Sequence, residues 1–195
     1  MEDAHLVDVF KISVLTGFLN LENKDNFIKN LNEIKKGEGR KISNLSGFQS
    51  YDLNHNDEVF FPFLKEIEFH TNKLAFQLGL QDTLKVSNFW LNVNKYKDSN
   101  SLHNHPGAVF SGVYYINVPK NSGAIVFRNP AIHFLEMYWP NKFVKDFNCS
   151  TSSLWKINPG NNQVVIFPAW LDHFVEPNMN EMEERISIAF NVERK

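Results

Sequence analysis

An α+β fold that is mainly β is predicted by three features of this sequence. Helical periodicity is confined to the part before Gly79, and alternating or apolar runs broken by Gly, Pro and Asn fill the rest. The aromatic load is heavy, with 18 Phe and 4 Trp in 195 residues. Bulky aromatic and β-branched side chains suit a pleated, half-buried surface better than the close seams of a helical bundle. The expected arrangement is an antiparallel sandwich or small barrel backed by N-terminal helices.

The first element is a strand over Val7–Leu15, where apolar and β-branched residues partly alternate. Asn23 to Lys36 follows as a helix, with Phe27, Ile28, Leu31 and Ile34 at helical spacing and a charged end at Gly37. Ser43 to Asn56 is polar and contains Gly47, as expected of a loop or a short irregular strand. A longer helix is expected from Asp57 to Leu78, burying Phe60, Leu64, Ile67, Phe69, Leu74 and Leu78 and stopping at Gly79. Pro62 falls in its first turn, where a missing N–H costs nothing. Five strands come next: Lys85–Tyr96, Ala108–Val118, Ala124–Phe127, Gln163–Phe167 and Arg185–Val192. Between them, Pro130–Pro159 is long and aromatic with little period, as a lid or substrate loop would be.

Composition excludes several classes. The net charge is −2 and no basic run is present, so a polyanionic partner such as nucleic acid has nothing to hold. Cys149 is the single cysteine, which rules out an intramolecular disulfide or a thiolate cluster. The start lacks a basic segment followed by a long apolar one, and no run reaches membrane-spanning length. A soluble, intracellular (cytoplasmic) protein is expected.

Three of the seven histidines have a spacing that can hold a metal. His103 and His105 stand two apart before a strand, and in extended chain such residues point to one side. His173 lies at the end of a later strand, in VVIFPAWLDHFVEP. A local pair plus one remote ligand from a neighbouring strand can close on one ion between two sheets. Imidazole suits zinc, copper, iron and nickel alike, so spacing does not choose the metal. His5, His55, His70 and His133 have no partner at useful spacing and read as surface or helix residues.

Twelve residues after His173 begins Arg185-Ile186-Ser187-Ile188-Ala189-Phe190-Asn191. In a strand, Arg185, Ser187 and Asn191 share one face. A guanidinium beside a hydroxyl can grip a carboxylate through a charge-assisted fork and a further hydrogen bond. The competing reading is an edge-strand Arg in solvent or an ion pair with Glu183 or Glu184.

Together these pieces resemble the 2-oxoglutarate- and iron(II)-dependent dioxygenase superfamily, whose pattern is H-x-D, a remote His and then R-x-S on a double-stranded β-helix (jelly-roll) core. The likeness runs from Trp90 to Asn191. More closely, HNHPGAVFSGVYYINVP, SGAIVF and VVIFPAWLDHFVEP with RISIAFN resemble a family of 2-oxoglutarate oxygenases of unassigned substrate. The resemblance implies a jelly-roll catalytic core over residues 85–195, supported by a strand and helices within 1–80, in one domain spanning 1–195. It implies iron(II) as metal and 2-oxoglutarate as co-substrate, with His103 and His173 as ligands and Arg185 and Ser187 on the far carboxylate. The expected reaction is hydroxylation of a small-molecule or peptide substrate, with release of succinate and CO2; a homo-oligomer is left open.

One position departs from the pattern: His105 stands where the aspartate of H-x-D belongs. A three-histidine site is the favoured reading. The others are His105 as ligand with His103 behind it, or a displaced carboxylate such as Asp98. Asp172 adjoins His173 and would point away along an extended strand. Among supporting residues, Asn92 or Trp90 can line the pocket, Tyr115 or Ser111 can assist the carboxylate, and Asn191 can touch it. Arg128-Asn129-Pro130 can meet substrate at the pocket mouth or form an ordinary turn, and Phe134–Trp139 can act as a lid. Two rival functions share these features. A cupin-type metalloenzyme would use H-x-H without 2-oxoglutarate, and a non-catalytic binding module would use the fold alone. The cupin pattern adds a Glu soon after H-x-H, which is missing here, and Arg185 with Ser187 favours the oxygenase.

Overall fold

The computed structural model describes residues 4, 5, 7, 9–81 and 83–195. The chain runs β1 (Leu15–Phe18), α1 (Lys24–Ile34), β2 (Phe48–Gln49), a 3-10 turn (Glu58–Phe60) leading into α2 (Phe61–Gln77), then β3 (Leu84–Asn94) and β4 (Asn100–His103). It continues through β5 (Phe110–Asn117), β6 (Ile125–Arg128), α3 (Ile132–Tyr138), β7 (Leu154–Ile157), β8 (Gln163–Pro168), β9 (His173–Val175) and β10 (Arg185–Arg194). Two antiparallel sheets result, a six-stranded one in the order β1-β8-β5-β10-β3-β2 and a four-stranded one in the order β4-β9-β6-β7. The fold is therefore mainly β with few helices, as expected.

Alternation along β3, β5 and β10 separates two environments. One face of the large sheet carries Phe89, Leu91, Tyr114, Ile188 and Phe190, buried together with Phe27, Phe60, Phe63 and Ile67 from the helical layer. Phe63 is fully buried and meets Phe89, Tyr114 and Phe190 at ring-centroid distances of 5.8 to 6.1 Å. Burying one such ring stabilises by roughly 1.5–3 kcal/mol. Gly112 lets the Phe190 ring lie against β5, because a Cβ there would sit 2.4 Å from Phe190 Cζ. A second apolar cluster of Tyr115, Ile125, Phe127, Val165, Phe167 and Leu171 joins the inner faces of the two sheets.

Several elements differ from the sequence expectation. The first strand is Leu15–Phe18, paired with β8, and not Val7–Leu15; Val7, Val9 and Phe10 are exposed, and Leu6 and Asp8 lie outside the described residues. Helix α2 buries Phe63, Ile67, Thr71, Leu74 and Ala75, whereas Phe69 and Leu78 are exposed. Phe69 is two residues beyond Ile67, about 200° around the helix, so both cannot face the sheet. The strands β4, β7 and β9 and the helix α3 were not expected, and the last occupies part of the aromatic stretch before Pro159.

Candidate active site

The small sheet positions two of the histidines. His103 ends β4 and His173 begins β9, and the two are direct register partners across that antiparallel pair. His105 follows β4, fixed by its backbone N–H to the Ala169 carbonyl at 2.9 Å. Asn104 Nδ2 donates to Asp172 Oδ1 at 2.9 Å, tying the same two segments together outside the cluster. The ligand-capable atoms of His103, His105 and His173 all lie within 4.8 Å of one another. Ring centroids are 4.4 Å apart for His103 and His173, 5.1 Å for His103 and His105, and 5.2 Å for His105 and His173.

Hydrogen bonding fixes the tautomers. His103 Nδ1 is 2.7 Å from the Ser101 carbonyl and His173 Nδ1 is 2.9 Å from the Leu171 carbonyl. A carbonyl only accepts, so each Nδ1 carries the proton and each Nε2 keeps its lone pair. Burial pushes His103 below its ordinary range, against smaller opposing effects of the Ser101 carbonyl and Asp172. Burial, aided by His103, takes His105 down to about 4 and His173 to about 3, the latter also feeling His105 and partly restored by the Leu171 carbonyl. The imidazoles are thus neutral at physiological pH. His105 Nε2 and His173 Nε2 stand 3.4 Å apart. Metal–nitrogen bonds of about 2.0–2.1 Å place neighbouring ligands about 3.0–3.5 Å apart, so this spacing suits one shared cation.

The carboxylate alternatives do not reach the cluster. Asp98 is buried with Oδ2 accepting from the Lys95 backbone at 2.7 Å, and Asp172 is held by Asn104. Among the described residues, the one group of His, Cys, Asp or Glu able to hold a metal is His103, His105 and His173.

The large sheet supplies the other wall of the same cavity. Strand β10 lies between β3 and β5, and Ser187 is in register with Asn92 on one side and Tyr115 on the other. These three side chains therefore form a polar row on the inner face, with Arg185 one pleat away opposite Asn94. All of them line the cavity with the three histidines, as does Trp90, whose ring centre is 6.1 Å from that of His105. Asn191 and Ser111 do not line it; Ser111 Oγ instead donates to Asn191 Oδ1 at 2.7 Å.

Arg185 is only 1% exposed, on a central strand and not an edge. Its Nη1 donates to the carbonyls of Ser122, Glu176 (3.1 Å) and Gly123 (3.5 Å), while its Nη2 is buried with no hydrogen-bond partner. Glu184, a candidate ion-pair partner, is taken by Lys35. Burial lowers the Arg185 pKa, although Tyr115 and Asp98 oppose the shift. A charge this deep, with an orphan donor, leaves an unmet demand for an anionic partner. Tyr115 is pushed up to about 12 by burial, with Arg185 pulling the other way, so its phenol keeps its proton. The sequence missed the backbone carbonyls of Ser101, Leu171, Ser122 and Glu176 that set these orientations; every residue has a carbonyl, so only tertiary structure reveals them.

Residues 88–191 match the model of a family described as "Putative 2OG-Fe(II) oxygenase". No curated protein matches the sequence. Among solved structures, the chain is similar to a prolyl-4-hydroxylase from Pseudomonas putida, with a TM-score of 0.67 and 13% identity over 94% of each chain. It is also similar to HygX from Streptomyces hygroscopicus with nickel and 2-oxoglutarate bound (TM-score 0.60, 11% identity, 94% of this chain and 84% of that one). A third likeness is to a viral collagen prolyl hydroxylase from Paramecium Bursaria Chlorella virus-1 in complex with 2OG (TM-score 0.56, 15% identity, 92% and 94%). At these identities the likeness is one of fold.

Proposed function

The chain belongs to the 2OG-Fe(II) oxygenase family, and from that premise we propose that His103, His105 and His173 hold iron(II) while Arg185 and Ser187 hold the far carboxylate of 2-oxoglutarate. What carries this reading is a single cavity whose wall contains three neutral imidazoles and one buried guanidinium with an unpartnered Nη2. The donor set fits the metal, since imidazole is an ordinary ligand for iron. It departs from the usual two histidines and one carboxylate, leaving the site one unit more positive, which changes the tuning of the metal. We read the two facing sheets as the jelly roll of the family, and residues 1–80 as support for a catalytic core over 85–195 in one domain.

When bound, iron(II) would bring O2, the oxidant, together with 2-oxoglutarate, which would give up two electrons and leave as succinate and CO2 while the substrate gives up the other two. The chain supplies orientation and exclusion of water. Backbone carbonyls of Ser101 and Leu171 keep the Nδ1 protons in place, so that both Nε2 lone pairs face the cavity. The Ser122 and Glu176 carbonyls aim the guanidinium, leaving Nη2 to pair with a carboxylate. Ser187, Tyr115 and Asn92 can donate from the polar row beside it. Asn191, bonded to Ser111, acts at most from behind. The reaction class we assign is hydroxylation of a small molecule or peptide. No helix among the described residues is long and apolar enough to cross a membrane.

The test is anaerobic visible absorption of the iron(II)-loaded protein titrated with 2-oxoglutarate. A saturable charge-transfer band is expected. Bound metal without a band would favour a cupin-type enzyme that does not use 2-oxoglutarate, and a chain that takes up no metal would remove the histidine assignment.

A further inference from the structure

A second cavity, of about 430 Å³, lies beside β6, the strand that pairs with β9 at His173. Its walls come from the chain leading into β1 (Ile12, Val14) and from the paired strands β6 and β7 (Phe127, Trp155, Ile157), with Leu171 behind. Strand β1 is an edge of the large sheet and β7 an edge of the small one, so the cavity opens along one seam of the sandwich. Two of its wall residues adjoin His173. Phe127 is its register partner, with ring centroids 6.1 Å apart, and the Leu171 carbonyl holds its Nδ1 proton.

The lining is apolar apart from a few groups, and most of those are committed elsewhere. Asn129 donates to the Ser152 carbonyl and accepts from the Ala131 backbone, and Thr16 accepts from Gln163. Among the described residues, Arg128 is the one charged side chain in the wall, and none of them brings a carboxylate to it. Among the described residues, its guanidinium meets His133 Nε2, at 3.5 Å. A mostly apolar cavity of this size with one convergent cation is built for an apolar body bearing one anionic group. From Pro130 the chain passes through α3, which buries none of its residues and exposes Phe134, Met137 and Tyr138, before returning to the wall at Cys149.

We propose that this cavity is the primary-substrate site and takes an apolar or aromatic carboxylic acid, with its carboxylate on Arg128 and its body against Phe127, Trp155 and Leu171. The assignment rests on the oxygenase reading, since only then do the contacts of the wall residues Phe127 and Leu171 with His173 matter to a reaction. The test uses two probes that differ only in charge, 1-pyrenebutyric acid and 1-pyrenebutanol. Binding is followed by quenching of Trp155 fluorescence, with Trp155→Phe as control, in a measurement that needs no iron. The acid should bind saturably, and the alcohol about tenfold or more weakly. Arg128→Met should erase that preference while keeping alcohol binding, and Val14→Trp, which fills the cavity, should abolish both. In iron-loaded protein with 2-oxoglutarate, the acid should also shift the visible band. Equal affinity of acid and alcohol, an unchanged preference in Arg128→Met, or no saturable binding would overturn the site. Binding with an unmoved band would overturn its role as the substrate site. Absence of any 2-oxoglutarate band, with acid binding intact, would instead strike the oxygenase reading.

Discussion

Replacing Arg185 by Gln tests the co-substrate assignment most directly. The guanidinium is 1% exposed, spends Nη1 on backbone carbonyls and leaves Nη2 without a partner. A desolvated ion pair removed from one side costs about 2–4 kcal/mol. At about 1.4 kcal/mol per tenfold, that weakens 2-oxoglutarate by roughly 30- to 700-fold. Iron uptake should stay as in the parent chain, because Arg185 is not among the clustered imidazoles. The assay is the anaerobic absorbance titration, with iron stoichiometry measured on the same samples. A companion measurement is thermal unfolding. At a hundredfold excess over its Kd, a ligand stabilises by about 2.7 kcal/mol, and the variant at that same concentration should lose most of the shift. Unchanged affinity for 2-oxoglutarate, with normal iron content, would falsify the role given to Arg185 and send the search to another cation.

Three further outcomes follow from the same geometry. His105→Ala should sharply reduce iron stoichiometry if all three imidazoles are ligands; near-normal iron content would leave His103 and His173 as the holding pair. Gly112→Ala should destabilise by roughly 1–3 kcal/mol, because its Cβ would meet Phe190 Cζ at 2.4 Å and the Val165 carbonyl at 2.6 Å. A melting temperature equal to that of the parent would contradict that packing. Tyr114 and Tyr115 are both pushed up to about 12 by burial, whereas an unfolded tyrosine ionises near ~10. The folded chain thus holds protons that the unfolded chain releases, so stability is intact below about pH 10 and falls as pH rises toward 12. An ultraviolet titration should find Tyr114 and Tyr115 still protonated in the folded chain at about pH 11; their ionisation near ~10 in the folded chain would refute this.

The long strands were legible because their residues declare two environments. In β5 and β10 an outer set of Tyr114, Ile188 and Phe190 alternates with an inner set of Tyr115, Ser187 and Arg185. Strands β4, β7 and β9 have three or four residues each and owe their form to neighbours, so no periodicity announces them; β7 even exposes Leu154 and Trp155. The apolar alternation of Val7 and Val9 misled because pairing with β8 begins only at Leu15. At the site, the histidine spacing and Arg185 with Ser187 were readable as local pattern. The alignment of Asn92, Ser187 and Tyr115 is a matter of register between strands distant in sequence, which no single segment encodes. Arg128 could be named as a pocket-mouth residue, but its place as the one charge that the described residues bring to a cavity wall needed the tertiary structure.

The pairing of His103 with His173 across β4 and β9, reinforced by Asn104 and Asp172, has a consequence for how the centre is loaded. The scaffold bonds that space the imidazoles are backbone and amide contacts that need no ion. If the three imidazoles hold the metal as proposed, the ion docks into a preorganised socket, and a chelator should empty it without unfolding the chain. Such a socket also lacks a veto. Neutral imidazoles accept zinc, nickel or copper as readily as iron, and intrinsic affinity runs in favour of those competitors. On the proposed assignment, which ion fills the site would be decided by what the surroundings supply.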